Sequence, residues 1–246
     1  MADYSSHFFQ CHSAGSVESA REILPIVVEM LHPASVLDLG CGIGTWLSVF
    51  VELGIKDICG IDGDYVNKNI LLINKENFIP YDLSKPLDLG KTFDLALSLE
   101  VAEHLDDKYA DTFIDSLIRH SSVVLFSAAI PWQRALTHVN EQWQDYWAEK
   151  FYKRGYIPVD CVRKKVWNMP NIEIWYKQNT ILYIKESELN KYPKVKQEYD
   201  KNPSPLLPIV HPDFFIHRSD PNNYYLADII KAFPTIVKNI VKRKFK

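Results

Sequence analysis

The stretch Val36-Leu37-Asp38-Leu39-Gly40-Cys41-Gly42-Ile43-Gly44-Thr45 constrains this chain more than any other. Ser35–Leu39 reads as a short buried strand, Gly40–Gly44 as a glycine-rich turn and Thr45–Leu53 as a helix. A strand that turns at once into a helix needs positive φ angles and lets backbone N–H groups come close to a ligand. Glycine supplies both. The glycines alone leave the ligand open, because a ribose binder and a phosphate binder would use the same turn. Two details narrow it. The dinucleotide fingerprint G-x-G-x-x-G requires a glycine where this chain has Thr45. Asp38, two residues before the first glycine, would repel a pyrophosphate and attract a cation.

Further along, apolar runs alternate with helical patterns, the mark of a parallel α/β sheet. An amphipathic helix is expected over Val17–Leu31, with Ser16 as its N-cap and His32-Pro33 as its stop. Strands are expected at Ile58–Asp62, Phe78–Tyr81, Phe93–Leu99 and Val123–Phe126, and helices at Tyr109–His120 and Glu141–Arg154. Pro158–Val162 and Thr180–Ile184 are expected to pair as edge strands. Asp62 ends the second strand, 22 positions after Gly40, where an acid can accept bonds from both hydroxyls of a ribose. Asp82 follows the third strand, where an acid can accept from the exocyclic amine of adenine. Three carboxylates at successive strand ends would line one crevice. They describe an adenosine that carries positive charge and no phosphate.

On these residues the chain resembles the class I S-adenosylmethionine-dependent methyltransferases. VLDLGCGIGTW resembles their first motif, ICGIDGD the second and PYDL the third, within a region of about residues 17–185. The resemblance implies a Rossmann-like α/β fold with a seven-stranded, mostly parallel sheet and an antiparallel edge strand. It also implies that Asp38, Gly40, Gly42, Thr45, Trp46, Asp62, Gly63, Asp82, Leu83 and Leu99 surround S-adenosylmethionine. Gly40 and Gly42 would lie against the methionyl moiety, Asp62 would hold the ribose, and Asp82 and Leu83 would flank the adenine.

A second constellation follows the fourth strand: Glu100, Glu103 and His104, with His138 further on. Three readings stand for it. The four residues can ligate a divalent metal, and this E-x-x-E-H with a later histidine resembles the metal set of the small-RNA 3′-end 2′-O-methyltransferases. A similar Glu/Glu/His set occurs in the quinone-pathway O-methyltransferases. Oxygen-rich ligation with imidazole suits manganese or magnesium. His104 or His138 can instead be a general base without metal, with Glu100 beside it. Or the group caps a helix and anchors a loop. Residues 130–147 hold Trp132, Asn140, Gln142 and Trp143, whose aromatic faces and amides suit a sugar or nucleotide acceptor. Trp147 fits equally well as the buried face of a helix. His7, His12, His120, His211 and His217 have no partner at readable spacing and are expected at the surface or in loops.

Of the 246 residues, 47% are apolar and 24% charged, enough for a full core. The four cysteines stand far apart, without a C-x-x-C pair, and the N-terminus lacks a basic head followed by an apolar stretch. A reducing cytoplasm fits. The net charge of −3 hides an asymmetry. Six cations and no acid lie after residue 230, so residues 1–230 sum to −9. That body does not suit a nucleic-acid binder. Residues 1–185 read as the methyltransferase domain, with 1–34 as a helical cap. Residues 186–246 read as a C-terminal extension, extended where prolines cluster over 191–212 and ending in a basic amphipathic segment. That segment could lie on an anionic membrane, dock on an acidic partner or remain solvated. SVESAREI, SLEVAEHL and HVNEQW resemble small methyltransferases of capsule and surface-polysaccharide gene clusters. O-methylation of a sugar, nucleotide-sugar or phosphoramidate-type precursor is the expectation. The rivals are 2′-O-methylation of RNA and a catalytically inactive cofactor-binding module.

Overall fold

The structure is a computed structural model describing residues 6–135, 137–224 and 226–244, with backbone alone for 6–13, 227–228 and 243–244. Its described part divides into two compact units, 1–209 and 210–246.

The first unit runs α1 (Ser6–Leu31), β1 (Ser35–Leu39), α2 (Thr45–Glu52), β2 (Asp57–Asp62), β3 (Phe78–Pro80), β4 (Leu95–Leu99), α3 (Ala110–His120), β5 (Val123–Ser127), α4 (Gln144–Tyr152), β6 (Tyr156–Val159), α5 (Arg163–Val166), α6 (Ile174–Asn179), β7 (Ile181–Lys185) and α7 (Pro193–Lys201). The strands form one seven-stranded sheet in the order β3-β2-β1-β4-β5-β7-β6. The first five are parallel, and β7 is antiparallel to both its neighbours. The pair expected at the edge is therefore present. The antiparallel strand is β7, one place in, with β6 outermost.

Strand alternation explains why both faces are covered. Leu95, Leu97, Leu99, Val123 and Leu125 pack in one apolar layer with α1 and α2. Ala96, Val124 and Phe126 point the other way, into a layer with Phe113, Ile114 and Leu117 of α3 and Trp147 and Phe151 of α4. A fully buried side chain such as Phe113 or Phe151 contributes about 1.5–3 kcal/mol. Trp147 is thus a core residue, 5.3 Å from the Phe126 ring.

Several local expectations change. Helix α1 starts eleven residues earlier than the pattern implied, so Ser16 lies inside it and its hydroxyl meets the Tyr176 hydroxyl at 3.1 Å. Strand β4 begins at Leu95 because the Asp94 carboxylate accepts from the N–H groups of Ala34 and Ser35. The proline-rich stretch is helical over Pro193–Lys201, with Pro193 in the first turn where no N–H is needed. Val195 is fully buried, and the compact unit extends to Ile209, well past the boundary expected at 185. Arg163 on α5 ties that segment down. Its buried guanidinium pairs with Asp160 at 2.8 Å and donates to the carbonyls of Leu206 and Leu207. His120 is buried: its Nδ1 lies 2.6 Å from the Ser116 carbonyl, and its Nε2 accepts from the Leu89 N–H. His211 is also buried, His217 is exposed, and the side chains of His7 and His12 lie outside the described residues.

The second unit contains α8 (Pro212–Ser219) and α9 (Leu226–Lys244).

Candidate active site

Strand β1 has β2 on one side and β4 on the other, so the chain direction switches there. The crevice beyond the carboxyl ends of these strands is where such sheets bind ligands. Gly40, Gly42 and Gly44 all have positive φ, at 89°, 53° and 84°. A side chain at Gly40 would also meet Val101 at 2.3 Å. The turn aims the Gly42 N–H at Asp62 Oδ2, 2.7 Å away, and Gly44 caps α2. Thr45 and Trp46 open that helix, and both are buried. Trp46 lies in the core, edge-on to Tyr176 at 5.0 Å.

The carboxylates differ in their surroundings. Asp38 is buried, and among the described residues no donor reaches its Oδ2. Burial, with the charge of Asp62 added, pushes its carboxyl well above the usual range. Asp62 is buried too, but it accepts from the N–H groups of Gly42 and Gly63, each at 2.7 Å, and from the Tyr65 hydroxyl at 2.5 Å. Burial still raises its carboxyl, against the effect of those three bonds. A Cβ on Gly63 would meet the Tyr65 ring at 2.0 Å. Asp82 is exposed. It accepts from the Ser84 hydroxyl at 2.6 Å and the Ser84 N–H at 3.0 Å, and these bonds with Lys85 lower its carboxyl. Leu83 is half-buried and Leu99 is buried. Two buried acids, one with an orphaned oxygen, make a cation site that a pyrophosphate could not occupy. The residues therefore fit a positively charged nucleoside.

After β4 the backbone turns left-handed at Glu100, with φ 57°, and its N–H donates to the Ser127 carbonyl. The Glu100 carboxylate accepts from Gln133 Nε2 at 2.5 Å and Asn179 Nδ2 at 3.2 Å. Glu103 and His104 lie on the single 3₁₀ turn that follows. The carbonyl of Glu103 accepts from the N–H groups of Val139 and Asn140, at 2.9 and 3.0 Å, which pins the distant loop beside it. Ligand atoms of Glu103, His104 and His138 thereby come within 4.8 Å of one another. Glu100, expected as a fourth ligand, is not in that group; its oxygens accept from the two amides, while its carboxylate still neighbours Glu103.

The Glu103 side chain is fully buried, and among the described residues neither of its oxygens makes a hydrogen bond of normal geometry, although the backbone N–H groups of Glu103 and Ala129 lie near enough to favour its ionised form. Burial, and then the charge of Glu100, push its carboxyl well above the usual range. His138 Nε2 lies 4.0 Å from it. The opposite nitrogens of both imidazoles are anchored. His104 Nδ1 meets the Thr137 hydroxyl at 2.8 Å, and His138 Nδ1 meets Glu141 Oε1 at 2.8 Å. Burial and the neighbouring His138 lower His104 to about 4, so its imidazole is neutral at neutral pH. The rings meet edge-to-face, 4.9 Å apart.

Glu141 is a site residue the sequence did not single out. It also accepts from the N–H groups of Trp132, at 2.8 Å, and Arg134. Those two residues have φ of 76° and 55°, so one carboxylate holds a strained loop and an imidazole together. Burial opposes ionisation of Glu141, but the bonds from His138 and from the two N–H groups leave its carboxyl below the usual range. Thr137 and Asn179 were likewise missed. Of the expected acceptor residues, Trp132 is 66% exposed with the Arg134 guanidinium 4.8 Å from its ring centre, and Trp143 is 40% exposed. Both can meet an incoming molecule. Asn140 is buried, takes Gln142 Nε2 on its Oδ1 at 3.0 Å, and has no partner for its Nδ2 among the described residues.

Residues 18–192 match the model of a family described as a methyltransferase domain. The chain belongs to the methyltransferase domain family. It is an S-adenosylmethionine-dependent methyltransferase, as the strand-end acids and glycine turn led us to expect. No curated protein matches the sequence. Among solved structures, the sugar N-methyltransferase KedS8 from Streptoalloteichus sp ATCC 53650 superposes with a TM-score of 0.56 at 14% identity, over 75% of this chain and 94% of that one. The plantazolicin methyltransferase BpumL in complex with SAH superposes with a TM-score of 0.53 at 15% identity, over 73% of this chain and 88% of that one. At these identities the likeness is one of fold. Among the described residues no helix of the methyltransferase is long and apolar enough to cross a membrane.

Proposed function

We propose that the enzyme methylates an oxygen of a small sugar, nucleotide-sugar or other nucleotide-activated precursor, such as a phosphoramidate, of a capsular or surface polysaccharide. We further propose that a divalent metal assists at Glu103, His104 and His138. The observation that carries this reading is the Glu103 carboxylate, fully buried, with no hydrogen bond of normal geometry among the described residues, beside two imidazoles whose other nitrogens are anchored. A carboxylate is not stable there as a bare anion. Burial favours its protonated form in the metal-free protein, and a cation would displace that proton. His104, neutral at neutral pH, already has the protonation state of a ligand. Thr137 and Glu141 orient the two rings as outer partners do in metal sites. Two nitrogens and one carboxylate favour manganese, iron or zinc over magnesium, which prefers oxygen alone.

The methyl donor supplies an activated methyl group, and the metal supplies a charge that lowers the pKa of an acceptor hydroxyl. The chain's own residues do the rest. Asp38 and Asp62 bind the donor's cationic and hydroxyl groups. Glu100 is fixed by Gln133 and Asn179 beside Glu103. Asn140 Nδ2 can donate to an acceptor oxygen, and Trp132 and Trp143 can cover a sugar face. An oxygen nucleophile must lose a proton near the transition state, so it gains most from the cluster. The polysaccharide assignment is supported by that aromatic and amide lining and by the resemblance of SLEVAEHL and HVNEQW.

The test is labelled S-adenosylmethionine with a panel of nucleotide-sugars and activated precursors, after exhaustive chelation and again with manganese restored. We expect label on an acceptor oxygen, loss of at least about tenfold in rate on chelation, and recovery with metal. Turnover indifferent to chelation would remove the metal, and label found on nitrogen would remove the O-methyl assignment.

A further inference from the structure

The basic end of the chain forms α9, Leu226–Lys244, and its side chains are sorted by face. At 3.6 residues per turn, Ile229, Ile230, Phe233, Ile236, Val237 and Ile240 fall within an arc of about 120°. Lys231, Lys238 and Lys242 fall within about 40° on the opposite side. Those six apolar side chains are between 42% and 63% exposed, so the apolar face is uncovered along the helix. From Lys231 to Lys246 the sequence contains no acid.

We propose that α9 is a reversible anchor that lies in the interface of an anionic lipid bilayer. The occupant follows from the sorting. A rigid protein surface placed against this helix could take either its apolar arc or its lysines, because the two lie on opposite sides. Docking on the chain's own acidic body would meet the same conflict. A bilayer interface takes both. The apolar arc sinks among the acyl chains, while the lysine stems reach back to phosphate groups. The sign of the charge selects the lipid. A body carrying −9 is repelled by an anionic surface, and the six cations at this end offset that repulsion where contact is made. With lysines on one whole side, the helix lies along the surface and does not cross.

The experiment is co-sedimentation of the full chain with vesicles of phosphatidylcholine alone, or with about a third phosphatidylglycerol, at about 0.1 M and 0.5 M salt. We expect at least about tenfold more protein on the anionic vesicles at low salt, and most of that excess lost at high salt. A variant with Phe233→Asp and Ile236→Asp should stay in the supernatant with its cofactor binding intact, showing that its body is folded. A variant with Lys231→Gln, Lys238→Gln and Lys242→Gln should lose the preference for anionic lipid. Equal binding to both vesicle types, or none to either, would overturn the proposal. So would a dimer in size-exclusion chromatography that Phe233→Asp with Ile236→Asp converts to monomer, since a second copy of the chain would then cover the face.

Discussion

Replacing Asp38 by asparagine should make the cofactor-free enzyme more stable and a poorer binder of its cofactor. The wild-type carboxylate is buried, its Oδ2 has no donor among the described residues, and Asp62 repels it. Asparagine keeps the shape and removes the charge. The amide is still a buried polar group without a partner among the described residues, so only the cost of the charge is relieved. An unsatisfied neutral group costs about 1–3 kcal/mol and a charged one more, and a gain of about 2 kcal/mol is expected. For a chain of this length that raises Tm by about 4–8 °C. The sign of the pH dependence follows from the raised carboxyl. Between the unfolded value of about 3.9 and the higher folded value, the native state binds the extra proton, so wild-type stability falls as pH rises through that window. The advantage of Asp38→Asn should therefore be small near pH 4 and full above the folded value. Binding moves the other way. Loss of a charge-assisted bond worth about 1.5–3 kcal/mol weakens S-adenosylhomocysteine about ten- to a hundredfold. Thermal unfolding across pH, paired with calorimetric titration, reads both effects. A variant that melts no higher than wild type at pH 8, or that binds the product equally well, would refute the reasoning.

Two further outcomes follow from the second cluster. Because Glu103 must lose a proton to accept a cation, manganese affinity should weaken as pH falls, by about tenfold per unit below the raised folded value, with proton release visible on titrating in two buffers. Affinity that stays flat as pH falls through the acid range in which the protein remains folded would contradict that. Glu141→Ala frees the N–H groups of Trp132 and Arg134 and unfixes His138. Unfolding should show a loss of about 1–3 kcal/mol, and metal titration a loss of about ten- to a hundredfold.

The parts legible in the sequence were those where one short stretch carries the whole signal. Asp38, Gly40, Gly42 and Asp62 could be read because a strand, a turn and a terminal acid follow each other in a fixed order, and backbone geometry leaves little freedom there. Glu103, His104 and His138 could be collected as chemistry, but not sorted. That Glu100 is held by amides depends on Gln133 and Asn179, which arrive from a loop and from α6. Glu141 was hidden because its work is done on backbone N–H groups at Trp132 and Arg134, which no side-chain pattern records. Pro193 was misread as extended because proline suits both an extended segment and a first helical turn, and burial of Val195 decided between them. The edge pair was visible as two apolar runs. Which of them inserted beside β5 was set by pairing across the sheet, which local pattern does not encode.

The central claim is that the acids at the tips of β1 and β2 hold a cationic nucleoside. It is tested most directly by calorimetric titration of the full chain with S-adenosylhomocysteine at two temperatures. Saturable binding of one molecule per chain, weakened in Asp62→Asn, is the predicted result. No heat at either temperature would contradict it.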